Sequence, residues 1–303
     1  MGTAPAAEHR EATFSAIAEG NAYRGPRIWL WPNLLSLDAP IVAVLWQILF
    51  LRCFRSPVEL LPVALLALTV WLIYAADRAL DALAGDAHTA RHRFYRKHGR
   101  MLAPLWIAGF AAAAWMAFTG LPAPLLRSGF ILLGGVSVYF FAVHAAPGRF
   151  ARIPRSGNVR WTKEAAVAVL FAMGSSLGAW QNIHNKADVA AIVLFSALCW
   201  INCVAIEHWE RNACPENRSR STSGQRRDDA AFPLGLFATG IAIAAIFVFI
   251  EQRPVLATAE MASALAFLWL DHVRPRLSTE ALRVLADAAL LSPILLLPIA
   301  GHV

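Results

Sequence analysis

The chain has 303 residues, 58% of them hydrophobic and only 16% charged, with Trp 11 times and a mean hydropathy of +0.51. Ordinary soluble domains are about 45–50% apolar, so this composition excludes one and predicts an all-α polytopic membrane protein. The net charge of +7 and pI near 9.7 do not indicate a nucleic-acid partner, because the basic residues fall in short segments between apolar runs, where they orient a membrane protein.

In chain order, residues 1–28 read as a flexible cytoplasmic N-terminal segment with a short interfacial helix near Glu11 to Ala18 and no signal-peptide core before Arg27. Residues 29–303 then divide into nine predicted spans: Trp29–Phe50, Pro57–Ala76, Leu102–Thr119, Leu125–Ala145, Ala165–Trp180, Val189–Ile206, Phe232–Ile250, Pro254–Leu270 and Leu282–Ala300. With the N-terminus inside, all but Arg52, Arg55, Arg127, Lys186 and Arg253 of the 27 lysines and arginines lie on the cytoplasmic side. That asymmetry is the positive-inside pattern and suits a bacterial inner membrane. Cys53, Cys199, Cys203 and Cys214 form no CxxC pair and read as packing residues.

The second span ends in WLIYAADRALDALAGDAHTARHRFYRKHGR, residues 71–100. Asp77 and Asp81 stand one helical turn apart on one face, followed by Asp86 and the basic cluster Arg91 to Arg100. Two carboxylates there suit magnesium, which bridges protein carboxylates to substrate phosphates, while Arg78, Arg91 and Arg93 are candidates to neutralise the remaining phosphate charge. The bland alternative is a helix end and loop solvated by their own charges. A second acidic locus, NCVAIEHWER, ends the sixth span: Glu207 and Glu210 share a helix face, and Asn202 lies more than a turn deeper. A surface pair of these glutamates with Arg211 is the competing reading.

Other polar residues have plainer expectations. Asp287 is expected to pair with Arg283 one turn back. Tyr139, His144, Ser175 and Ser176 either line an acceptor pocket or satisfy one another between helices. Gly134, Gly135, Gly174 and Gly178 read as close helix contacts rather than a phosphate loop. His88, His92, His98 and His208 are too few for a membrane di-iron centre, and the basic stretch around the first three repels a cation.

Nine spans, an acidic motif ending the second, another ending the sixth, basic segments after both, and Lys163 opening the fifth resemble the UbiA superfamily of intramembrane prenyltransferases from Trp29 onward. The resemblance implies a nine-helix bundle that transfers an isoprenoid group from a prenyl diphosphate to an aromatic, quinone-precursor or lipid acceptor. It implies Mg2+ held by Asp77, Asp81, Glu207 and Glu210, and diphosphate contacts from Lys163. The chain departs from the family pattern in having Ala76 before Asp77, a four-residue spacing to Asp81, and glutamates with Asn202 in the second motif. The alternative is a non-catalytic UbiA-like protein acting as a lipid binder or small-solute carrier. Against a carrier, the acids crowd at one boundary rather than at the bilayer midplane.

Overall fold

The computed structural model describes residues 35–83, 90–145, 162–213, 233–251 and 253–300, with the backbone alone for 81–83, 90–98, 100, 144–145 and 211–213. The N-terminal segment 1–28, the start of the first predicted span, Asp86, His88 and Cys214 lie outside the described residues.

Among the described residues all regular structure is helical. In chain order it comprises α1 (Asp38–Cys53), α2 (Leu60–Leu83), α3 (Ala90–Gly120), α4 (Ala123–Phe140), α5 (Thr162–Ser176), α6 (Lys186–Ala213), α7 (Leu234–Ile250), α8 (Pro254–Val273), α9 (Thr279–Ala289) and the single turn α10 (Pro293–Leu296). A π-turn, Phe141–Ala145, extends α4, and a 3-10 turn, Leu177–Asn182, extends α5.

Five of these helices are long and apolar enough to cross a membrane: α2, α3, α4, α6 and α8. α7 is apolar throughout its 17 residues, and α1 and α5 have 16 and 15. The protein is therefore an all-α chain of membrane character.

Two predicted spans are corrected. The first does not run as one helix through Ser36, which takes φ 58, a value no right-handed helix allows, and α1 begins at Asp38 with Pro40 in its first turn. Asp38 thus stands at a helix start rather than inside a span. The ninth is broken: α9 stops at Ala289, and α10 begins at Pro293, which has no N–H to continue the ladder.

Burial is uneven. The main core joins α1, α5, α6, α7, α8 and the α9–α10 region around Trp46, Phe50 and Phe195. Trp46 stacks on Phe195 at 4.1 Å between ring centroids, and its indole N–H donates to the Leu290 carbonyl at 2.9 Å. α7 and α8 meet closely through alanines such as Ala238, Ala245, Ala257 and Ala264, the small-residue contact that lets helices approach in lipid.

By contrast, none of the apolar stretch of α4 and 6% of that of α3 is buried, against 50% for α8. Trp115, Ile107, Ile131 and Val138 are exposed there. α3 packs mainly on α2, tied by the Trp106 indole to the Leu72 carbonyl at 2.9 Å, whereas α4 packs mainly on α5. The predicted glycine contacts divide: a Cβ on Gly135 would sit 3.0 Å from Leu170 and one on Gly178 3.3 Å from Leu51, while Gly134 faces open space.

Candidate functional site

Polar side chains from five helices gather at one end of the bundle. At the start of α1, Asp38 pairs with Arg78 of α2 at 3.5 Å, and Arg78 is 5% exposed. Asp38 also hydrogen-bonds Asp287 of α9, which accepts from the Asn202 amide of α6 at 3.0 Å. A chain of contacts therefore runs Arg78, Asp38, Asp287, Asn202, joining the end of α2 to the end of α6 through α1 and α9. Tyr74, one turn before Arg78, lies within electrostatic range of Cys203 and Asp287. The two acidic loci accordingly share an end of the molecule, although α2 and α6 do not pack extensively along their lengths.

The second part of this end is a carboxylate pair. Glu164, in the first turn of α5, is 8% exposed and shares a hydrogen bond with Glu207 of α6. Burial first, then that hydrogen bond and the Glu207 charge, push the Glu164 carboxyl up to about 8. Two carboxyl groups in contact cannot both ionise unless something positive lies between them. Glu164 Oε2 is buried with no hydrogen-bond partner among the described residues. Exposed Lys163 contributes a nearby positive charge.

The sequence-predicted residues fare differently from one another. Asn202, Glu207, Lys163 and Arg78 all reach this end. Asp77 is half-buried beside Arg78 on α2. Asp81, Arg91 and Arg93 lie on helical backbone whose side chains are outside the described residues. Glu210 is ion-paired with Arg283 of α9, a partner from across the bundle, and the side chain of neighbouring Arg211 lies outside the described residues. Asp287 meets Asn202 and Asp38, partners on α6 and α1 that its own helix does not supply.

The Ser175 and Ser176 hydroxyls donate back to their own helix, to the Phe171 and Ala172 carbonyls at 2.9 and 2.8 Å, and Ser176 also accepts from the Trp180 indole at 3.0 Å. Glu164, Asp38 and Tyr74 were not singled out in the sequence as site residues. The readable signal was Asp38 itself, an acid inside a predicted span.

Among the described residues no group of three His, Cys, Asp or Glu is poised around a metal position. The donor chemistry nevertheless fits a hard divalent ion in a narrower form, since the Glu164–Glu207 pair has an unsatisfied carboxylate oxygen and magnesium commonly takes only one or two protein carboxylates beside phosphate and water. Glu210, held by Arg283, does not fit as a free ligand.

The opposite end is built differently. Asp188, fully buried at the start of α6, receives Arg253 Nε at 2.6 Å on one oxygen and the His184 and Asn185 N–H groups on the other, at 2.9 and 3.3 Å. Arg253 also donates to the Cys53 carbonyl at 3.0 Å and lies over the Phe54 ring. No family model, no curated protein and no solved structure matches the chain.

Proposed function

We propose that the protein is an intramembrane prenyltransferase that binds a prenyl diphosphate at its acidic end, on the cytoplasmic side, and passes the isoprenoid group to a hydrophobic acceptor. The observation that carries this reading is the Glu164–Glu207 contact, a carboxyl pair whose Glu164 member is buried with an oxygen unsatisfied among the described residues, set beside Lys163 and the Arg78 to Asn202 chain. Such a pair is stable with a proton on it and is completed equally well by a divalent cation that also binds phosphate oxygens.

When bound, Mg2+ would supply charge neutralisation for the departing pyrophosphate. The residues of the chain do the rest. Lys163, with Arg78 and the Arg91 and Arg93 positions that open α3, offers cationic donors to diphosphate oxygens. Asn202, whose Oδ1 is buried without a partner among the described residues, orients groups near the α6 end. The apolar faces of α3 and α4, which pack on different neighbours, supply a lipid-side surface for the tail and keep water from an allylic cation.

A second reading, a non-catalytic lipid binder, is favoured by one specific observation: Glu210 and Arg78 are engaged by Arg283 and Asp38 within the chain itself. The two separate experimentally. Purified protein in detergent is titrated with a prenyl diphosphate with and without magnesium, and Asp81→Ala is measured alongside. The transferase reading expects magnesium-dependent binding weakened at least tenfold, about 1.4 kcal/mol, by the substitution. Equal affinity with and without magnesium assigns the protein to lipid binding instead.

A further inference from the structure

Away from the acidic end, one ionisable side chain stands by itself inside a helix able to cross a membrane. Glu260 lies in α8, six residues or about 9 Å along the axis from Pro254. It is 0% exposed, and both carboxyl oxygens lack a hydrogen-bond partner among the described residues. Fully buried Leu256, Ala257, Ala259 and Ala264 surround it along α8.

A bare carboxylate in such surroundings is prohibitively costly, so the group carries a cation of some kind. Within a turn of it, on the neighbouring face, the Ser263 hydroxyl meets that of Ser292 at 2.8 Å, and Ser292 donates to the Ala259 carbonyl at 2.8 Å. Ser292 belongs to the break between α9 and α10. There Leu290 and Leu291 make tight turns, the Leu290 carbonyl is taken by Trp46, and Pro293 leaves the Ala289 carbonyl without its helical donor. A buried carboxyl beside hydroxyls and unwound backbone is the arrangement by which membrane helices hold small cations.

We propose that Glu260, with Ser263 and Ser292 at the break in the last helix, forms an intramembrane binding site for a single small cation, a proton or an alkali-metal ion. The charged and titratable groups around it are few. On α1, Cys53 lies within its electrostatic range. Asp188 of α6 and Arg253, which immediately precedes α8, are closed on each other. α7 and α10 contribute no ionisable residue, and Glu280, Arg283 and Asp287 of α9 precede the break, toward the acidic end. Arg52 of α1 is turned to the Leu297 carbonyl, so among the described residues no cation is paired with Glu260.

The site does not depend on the prenyltransferase reading and has its own test. Infrared spectra of wild type and Glu260→Gln in lipid vesicles, started at mildly acidic pH in choline chloride, assign the protonated-carboxyl C=O band of Glu260. The proposal expects this band to disappear either as pH is raised, which identifies a proton site, or on adding sodium or potassium chloride at fixed pH, which identifies an alkali-ion site. A Glu260 band unmoved in both titrations, or no Glu260-dependent band at all, overturns it. Glu260→Gln leaves magnesium-dependent prenyl diphosphate binding unchanged, so the two sites stand or fall separately.

Discussion

At one end of the bundle, Asp188 is buried with one oxygen on Arg253 at 2.6 Å and the other on two backbone N–H groups. At the other, Glu164 is buried against Glu207, and its second oxygen meets nothing among the described residues. Both places put acids and bases of the same kinds at helix ends. The first is a finished network, whose purpose is to fasten α6 and α8 to the end of α1. The second leaves a buried carboxyl oxygen unanswered among the described residues, and that, more than charge density, sets it apart from the first.

Breaking the finished network has the largest expected effect on stability. Asp188→Ala strands the Arg253 guanidinium and leaves two N–H groups unanswered, and we expect a loss of about 3–5 kcal/mol, read as a lowered midpoint of thermal unfolding in detergent. Prenyl diphosphate affinity of the protein that remains folded should not change. A large affinity loss without a stability loss would invert the comparison.

Glu207→Gln acts the other way. It removes a negative charge from the carboxylate pair, so magnesium-dependent binding should weaken about tenfold or more, roughly 1.4 kcal/mol, while the unfolding midpoint stays level or rises.

The same pair sets a pH dependence. Glu164 has its pKa raised from 4.5 to about 8 in the folded protein, so the native state binds that proton more tightly than the unfolded chain does. Its contribution to stability is fully present below about 4.5, declines as pH rises from there to about 8, and is flat above. Unfolding midpoints across that range should show the decline in wild type and a shallower slope in Glu164→Gln.

The smallest change is Trp46→Phe, which keeps the stack on Phe195 but removes the hydrogen bond to Leu290. A loss of about 1 kcal/mol is expected in the same unfolding assay.

Much of this architecture was legible in apolar run length. The apolar parts of α2 to α8 follow from stretches of leucine, alanine and isoleucine bounded by charged segments, since run length is what a membrane span requires, but α3 runs back through the basic segment to Ala90, which run length did not predict. The breaks were not legible in this way. Hydropathy passes smoothly over Ser36 and over Leu290 to Pro293, whereas the backbone turns at Ser36 because of a positive φ and at Pro293 for want of an N–H.

For the candidate site, the two acidic loci were visible as motifs, and the shared end was predictable from an even number of crossings between them. Pairing was not. Glu210 with Arg283, Asp287 with Asn202, and Glu164 with Glu207 all join residues far apart in the chain, and periodicity reports only neighbours on one helix.

The most direct test is the proton count on binding. If a cation and its diphosphate complete the Glu164–Glu207 pair, the proton held there must leave, because metal binding releases protons from its ligands. Calorimetric titration of magnesium prenyl diphosphate near neutral pH, repeated in buffers of differing ionisation enthalpy, should report release of about one proton per site in wild type and none in Glu164→Gln. Tight magnesium-dependent binding with no proton release in wild type would contradict the account.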